Sequence, residues 1–221
     1  MKVQWTKNDF GRSGILAVPE AGDSHPVLET YYMDYLIENL DQDRLAIAAA
    51  LVFGSYSGNR LSFTGRVSSE VARAIEAFHR TDGVRVEPVS YGENHSPHGD
   101  SILHMSSGHK HTTRSNRIGQ QRRLDVALLP TDKNSGALLT MDSLDVATNS
   151  WLHSEFLPQP YADDLCKIAS GVLLSTDLSA AGVAICRSGK ALPAPVLSGA
   201  QRLLDSVGLT LGMAECAEHL S

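Results

Sequence analysis

The sequence predicts an α+β fold: a mainly antiparallel sheet built from about four β-hairpin–helix units, with the helices on one face. Three observations predict it. Short apolar runs are joined by turn residues, each pair of runs is followed by a stretch with helical spacing, and one polar segment at residues 90–123 splits the series into two similar parts. Strands joined by tight turns pair antiparallel, and helices packed on one side leave the other side of such a sheet to water.

In the first unit Val3 and Trp5 alternate with polar neighbours, Asn8, Asp9, Gly11 and Gly14 mark a turn, and residues 15–18 return, which reads as a hairpin. Pro26 behind Ser24 is a helix-start signal, and Leu28, Tyr32, Leu36 and Leu40 recur every four residues. In the second unit residues 45–53 are read as a buried strand, residues 54–59 as a turn and residues 61–64 as its partner. Ser68 then caps a helix with Val71, Ala74, Ile75 and Phe78 on its inner face, stopped at Thr81-Asp82-Gly83. The third unit has strands at 124–129 and 137–141 around a turn at 131–136, then a helix over 143–153 carrying Leu144, Ala147, Trp151 and Leu152. The fourth has strands at 169–175 and 182–186, and a helix from about Pro195 that buries Val196, Ala200, Leu203, Leu204 and Val207.

Arg44-Leu45 and Arg123-Leu124 open the second and third units alike. The expected organisation is therefore a first half at 1–90, a His/Arg-rich connecting segment at 91–123 and a second half at 124–221, either as pseudo-equivalent halves or as one continuous domain. A further joint is expected at Leu157-Pro158-Gln159-Pro160. Residues 45–53, apolar on both faces if extended, call for a second layer or a partner subunit, so a homo-oligomer or a partner protein is expected.

Composition narrows the class. With 42% hydrophobic and 20% charged residues, the chain is that of a soluble globular protein and not a disordered one. A net charge of −6 repels nucleic acid and anionic membranes. The longest apolar run is too short to span a bilayer. The first residues lack a signal-peptide core, and the three cysteines (Cys166, Cys186, Cys216) are widely spaced without C-x-x-C. Reduced thiols and a cytoplasmic location are the expectation.

Residues 90–123 depart from this background. They hold five of the nine histidines (His95, His98, His104, His109, His111), and residues 101–124 contain five bases and no acid, leaving −11 on the rest. Residues 101–105 have enough apolar character for a short strand; residues 106–121 have only Ile118, so a solvated loop is the plain structural reading. Among chemical readings, anion recognition is the sharpest. Lys110, Arg114 and Arg117 would bind a carboxylate or phosphate, and His104, His109 and His111 would handle protons near neutral pH. The function this implies is an enzyme acting on a small anionic substrate. One alternative is a non-catalytic subunit docking an acidic or nucleic-acid partner through the same loop. The nucleic-acid version is disfavoured by the overall charge and by the lack of an aromatic residue after Tyr91 in this stretch.

A further alternative is a metal-dependent hydrolase. His95 and His98 have H-x-x-H spacing with Asp100 beyond, a donor set suited to a divalent metal such as zinc. The surrounding positive charge opposes it, and H-E-x-x-H is absent. No phosphate loop occurs, and Ser107-Gly108-His109-Lys110 fits S-x-x-K only as four letters in a stretch too polar and too close to glycine for a helix. His79 and His153 are expected to cap helix C-termini. Asp163-Asp164 is expected at a solvated helix start, Tyr31, Tyr32 and Tyr35 are expected in part in the core, and Cys166 and Cys186 as small buried hydrophobes.

Overall fold

The computed structural model describes residues 1–80, 83–91, 99–108, 117–118, 121–157, 159–186 and 192–214. Twelve strands form one sheet among these residues: β1 (Lys2–Lys7), β2 (Ser13–Val18), β3 (Thr30–Met33), β4 (Arg60–Ser68), β5 (Arg85–Ser90), β6 (Ser101–Ser107), β7 (Arg117–Ile118), β8 (Gln121–Pro130), β9 (Ala137–Leu139), β10 (Ser143–Thr148), β11 (Ala180–Cys186) and β12 (Thr210–Ala214). The helices are α1 (Gln42–Phe53), α2 (Ser69–Phe78), α3 (Ser150–Phe156), α4 (Ala162–Leu174) and α5 (Ala194–Asp205), with a 3-10 turn at Gly54–Tyr56.

The strand order is β12-β11-β6-β8-β10-β3-β2-β1-β4-β5, with β7 beside β8 and β9 beside β10. From β1 the chain steps outward through β2 and β3, returns through α1 to β4 on the other side of β1, and continues through α2 to the edge strand β5. From β6 it steps through β8 and β10, returns through α3 and α4 to β11 on the other side of β6, and continues through α5 to the edge strand β12. The two runs meet where Thr148 of β10 pairs with Met33 of β3. Hydrogen bonds from Tyr32 N to Asn149 Oδ1 and from Thr148 Oγ1 to Tyr32 O strengthen that seam.

The class α+β holds, but the sheet is not mainly antiparallel. Six of the eleven pairings are parallel, including β6–β8, β8–β10, β11–β6 and β11–β12. The β1–β2 hairpin forms as expected. The hairpin expected from 124–129 and 137–141 does not: β8 runs parallel to β10, and β9 pairs with β10 instead. Residues 143–148, expected in a helix, are β10 itself. The expected helix after Pro26 is replaced by β3, where Thr30-Tyr31-Tyr32 favours extended backbone over the four-residue spacing.

Two expected strands are helices. Residues 45–53 lie in α1, where every residue from Asp43 to Phe53 is buried. An all-round apolar run with four alanines suits a helix enclosed on all sides as well as a two-faced strand, and alanine is the best helix former. Asp41 starts it by accepting a hydrogen bond from Arg44 N. Residues 169–174 are the second half of α4, with Ser175 as its C-cap, and this helix packs on β6 and β11 and against α1. Gly171 permits that approach, since a Cβ there would meet Val183 Cγ1 at 2.7 Å. The more amphipathic helices fall where expected: α2 with Ser68 as its cap, accepting from Val71 N, and α5 burying Ala200, Leu203 and Leu204.

Packing runs continuously through α3, α4, α1, α2 and α5. Val3, Ile15, Ala17, Leu61, Leu103, Met105, Val126 and Val183 belong to the core that these helices cover. Tyr31 ties β3 to α4, donating to Cys166 O at 2.9 Å with Ser170 Oγ at 2.6 Å. Arg44, also buried, donates to Ser175 Oγ and Thr176 Oγ1 at the end of α4. Cys166 is a free buried thiol, but Cys186 is disulfide-bonded, so the expectation of three reduced thiols fails and cysteine spacing alone does not fix a compartment. Among the described residues no helix is long and apolar enough to cross a membrane.

Candidate functional site

Alternation along β6 sends Leu103 and Met105 toward α4, and Ile102, His104 and Ser106 to the opposite face of the sheet. Register carries that opposite face onto Arg123 and Asp125 of β8, Ala184 of β11, and Thr210 and Gly212 of β12. A cavity of about 470 Å³ opens there, lined by Ile102, His104, Gln121, Arg123, Ala184 and the β12 residues from Thr210 to Ala214. Small side chains keep it open. A Cβ on Gly212 would lie 3.6 Å from Ala184 Cβ, an ordinary contact, so the floor there is low without being crowded.

His104 is the anomaly in this cavity. Its residue exposure is 6%, yet among the described residues neither Nδ1 nor Nε2 has a hydrogen-bond partner. Leaving a buried polar group unsatisfied costs about 1–3 kcal/mol, so such groups are rare in folded proteins. Burial, and then the charge of Arg123, lower the His104 pKa from 6.5 to about 4, with Asp125 acting the other way. The imidazole is therefore neutral at pH 7, with one nitrogen able to donate and the other to accept. Arg123 lies beside it, its Nε donating to Asp125 Oδ1 at 2.6 Å. A guanidinium held by one carboxylate retains further donors for an anion.

Of the residues singled out from sequence, His104 is the one this cavity contains. Arg117 contributes its backbone to β7, opposite Arg122 of β8. Asp100 lies exposed before β6, its carbonyl accepting from Arg122 N. His95, His98, His109, Lys110, His111 and Arg114 lie outside the described residues, and among the described residues no trio of His, Cys, Asp or Glu is placed to hold a metal. Ser107, the serine of S-x-x-K, donates its hydroxyl to Asp163 Oδ1 at 2.7 Å.

Asp163-Asp164 does begin a helix, but not as a solvated pair. Asp164 is buried, and Lys167, 1% exposed, bonds Asp163 Oδ2 at 2.7 Å and the Cys186 carbonyl at 2.8 Å. This joins the start of α4 to the ends of β6 and β11. The spacing D-D-x-x-K, one helical turn, was the available signal for it. His79 is the C-cap residue of α2, its N–H donating to Ile75 O, and its side chain also reaches the end of α1, Nε2 donating to Ala50 O. His153 donates to Thr30 O and meets Tyr31 and Phe53 edge-on, and burial lowers its pKa. Arg123 was visible in the sequence as one of five bases and as the residue opening the third unit; its position beside His104 follows from the β6–β8 register.

No protein-family model, curated protein or solved structure matches the chain. The fold and the cavity together define a mixed α+β protein with a small-molecule-sized hollow on the face of its sheet opposite α4.

Proposed function

We propose that the chain is an enzyme acting on a small anionic substrate, a carboxylate or a phosphate, held on the sheet face formed by β12, β11, β6 and β8. The observation that carries this reading is His104, a buried imidazole with both nitrogens unspent beside the Arg123 guanidinium. Arg123 supplies the attraction and His104 the proton chemistry. An anion entering the cavity favours the charged imidazolium, so binding raises the His104 pKa toward neutrality and makes it a better base when substrate is present. In the same reading Lys110, Arg114 and Arg117 add positive charge, and His109 and His111 add proton carriers.

The test is proton NMR of the His104 ring while inorganic phosphate and citrate are titrated in. A rise in its pKa, lost in Arg123→Ala, supports the reading. An unmoved His104 titration in the presence of both anions removes it.

One surface favours a second reading, a non-catalytic subunit. Leu138, Leu139 and Met141 of the β9 hairpin are 59%, 52% and 81% exposed, an apolar group of the kind that docks a partner or a second copy. Sedimentation of wild type against Leu138→Lys decides whether this surface assembles the protein. We also propose that residues 1–90 and 99–214 are variants of one unit. The shared strand stepping and the matching return helices α1 and α4 support this, while the antiparallel β1–β2–β3 and parallel β6–β8–β10 runs set the two apart.

A further inference from the structure

A second cavity, of about 540 Å³, lies where the end of α2, the start of α4 and the first turns of α5 come together. It shares no lining residue with the His104 cavity. Its walls are apolar and aromatic: Phe78 from α2, Tyr161 at the start of α4, and Val196 from α5. Arg80 and Arg202 also line it, and among the described residues no aspartate or glutamate does, although acids outnumber bases in the chain by 25 to 19. Both arginines are exposed, and neither side chain makes a hydrogen bond or an ion pair among the described residues. On an acidic protein, two unneutralised guanidiniums on one hollow make a local positive field.

Two further features point the same way. Gln159 Oε1 is hidden from solvent and has no hydrogen-bond donor among the described residues. It accepts from whatever donor occupies the space beside it. Neither α4 nor α5 has a side chain capping its first turn; Asp163 and Asp164 offset the positive end of α4, whereas the first turn of α5 holds no acid, so the positive end of α5 borders the hollow without a local acceptor. The C-terminal end of α2 brings the opposite sign, and Arg80 follows directly after it.

We propose that this cavity binds a small aromatic anion, a flat apolar ring bearing a carboxylate or phosphate. The ring occupies the space among Phe78, Tyr161 and Val196. The anionic group meets Arg80 and Arg202, whose forked donors match carboxylate and phosphate oxygens. A hydroxyl or N–H on the ring satisfies Gln159. The volume falls in the range of about 300–1,000 Å³ usual for small-molecule sites, and an apolar lining with a few convergent polar groups is their usual composition. This inference is independent of the His104 site.

Calorimetry with 1-naphthyl phosphate, and with inorganic phosphate as the control, tests it. Naphthyl phosphate is expected to bind at least about tenfold more tightly than inorganic phosphate, because only the former has a ring to bury. The double variant Arg80→Ala/Arg202→Ala is expected to weaken naphthyl phosphate binding by at least about tenfold while leaving the melting temperature unchanged, since both side chains are exposed and unpaired. Val196→Trp, which fills the hollow and keeps both charges, is expected to abolish binding, whereas His104→Leu is expected to leave it intact. Failure of naphthyl phosphate to bind wild type overturns the inference. Equal binding to the double variant or to Val196→Trp does the same, and so does loss of binding in His104→Leu, which would place the probe in the other cavity.

Discussion

Replacing His104 with leucine is expected to make the protein more stable at pH 7, because the wild-type imidazole is buried with neither nitrogen bonded. Removing an unsatisfied buried group recovers about 1–3 kcal/mol, and refitting leucine against Ile102 and Ala184 takes part of that back, leaving a gain of about 1 kcal/mol. Ionisation adds a second signature. The folded-state pKa of about 4 lies below the ordinary 6.5, so the unfolded chain takes up this proton more readily than the folded one. The stability tied to neutral His104 is present in full above pH 6.5 and is lost as pH falls through about 4. Between pH 7 and pH 5 that loss comes to about 2 kcal/mol, approaching ~3 kcal/mol at lower pH. Leucine does not titrate, so its advantage over wild type should widen from about 1 to about 3 kcal/mol between pH 7 and pH 5. His153, lowered in the same direction, is common to both proteins and cancels. Urea denaturation followed by fluorescence at each pH measures the gap. A leucine variant less stable than wild type at pH 7, by a margin constant down to pH 5, would refute the reasoning, since it would show an imidazole with native partners.

Three further outcomes test the frame around the site. Ser68→Ala, which removes the hydroxyl that accepts from Val71 N at the start of α2, should cost about 1 kcal/mol in chemical denaturation. Gly171→Val should cost about 1–3 kcal/mol, read as a fall in melting temperature, because its Cβ would meet Val183 Cγ1 at 2.7 Å and Met105 Cγ at 3.3 Å. A fragment of residues 1–90 should give the circular dichroism of an unfolded chain, since α1 is enclosed on every side and α4, which covers part of it, is then missing; native-like helicity in that fragment would contradict this account of the core.

What the sequence made legible divides along a physical line. The helices α2 and α5 each have an apolar stripe opposite a polar one and were readable by period alone. Much of α1 and α4 is apolar on all sides, because these helices lie between the sheet and one another, and a run without a polar face has no period to read. Its length then decides, and only nine residues of α1 are uninterrupted apolar ones, short enough to pass for a strand. Parallel pairing was hidden for a different reason. The turn signals between Thr131 and Gly136 are genuine, but they lead into β9, which pairs with β10 and lets β8 and β10 align in the same direction. A turn fixes a local reversal and not the partner of the strand before it.

The site was half legible for the same kind of reason. His104 stood out in the sequence as one histidine in a basic stretch, and that membership suggested a loop. In the structure it is the fourth residue of β6, a strand with five neighbours of buried character, and its meaning comes from the face it takes. Leu103 and Met105 on either side go to the core, so strict alternation puts His104 on the opposite face, where β8, β11 and β12 supply an arginine, an alanine and a glycine. No local pattern contains those three neighbours, which lie up to about a hundred residues away along the chain; the strand order brings them together. An isolated buried histidine more often serves packing, and packing would have given its nitrogens partners, as it does for His79 on Ala50 O and His153 on Thr30 O. His104 has none, and that contrast within one molecule is what moves it from core residue to candidate catalyst.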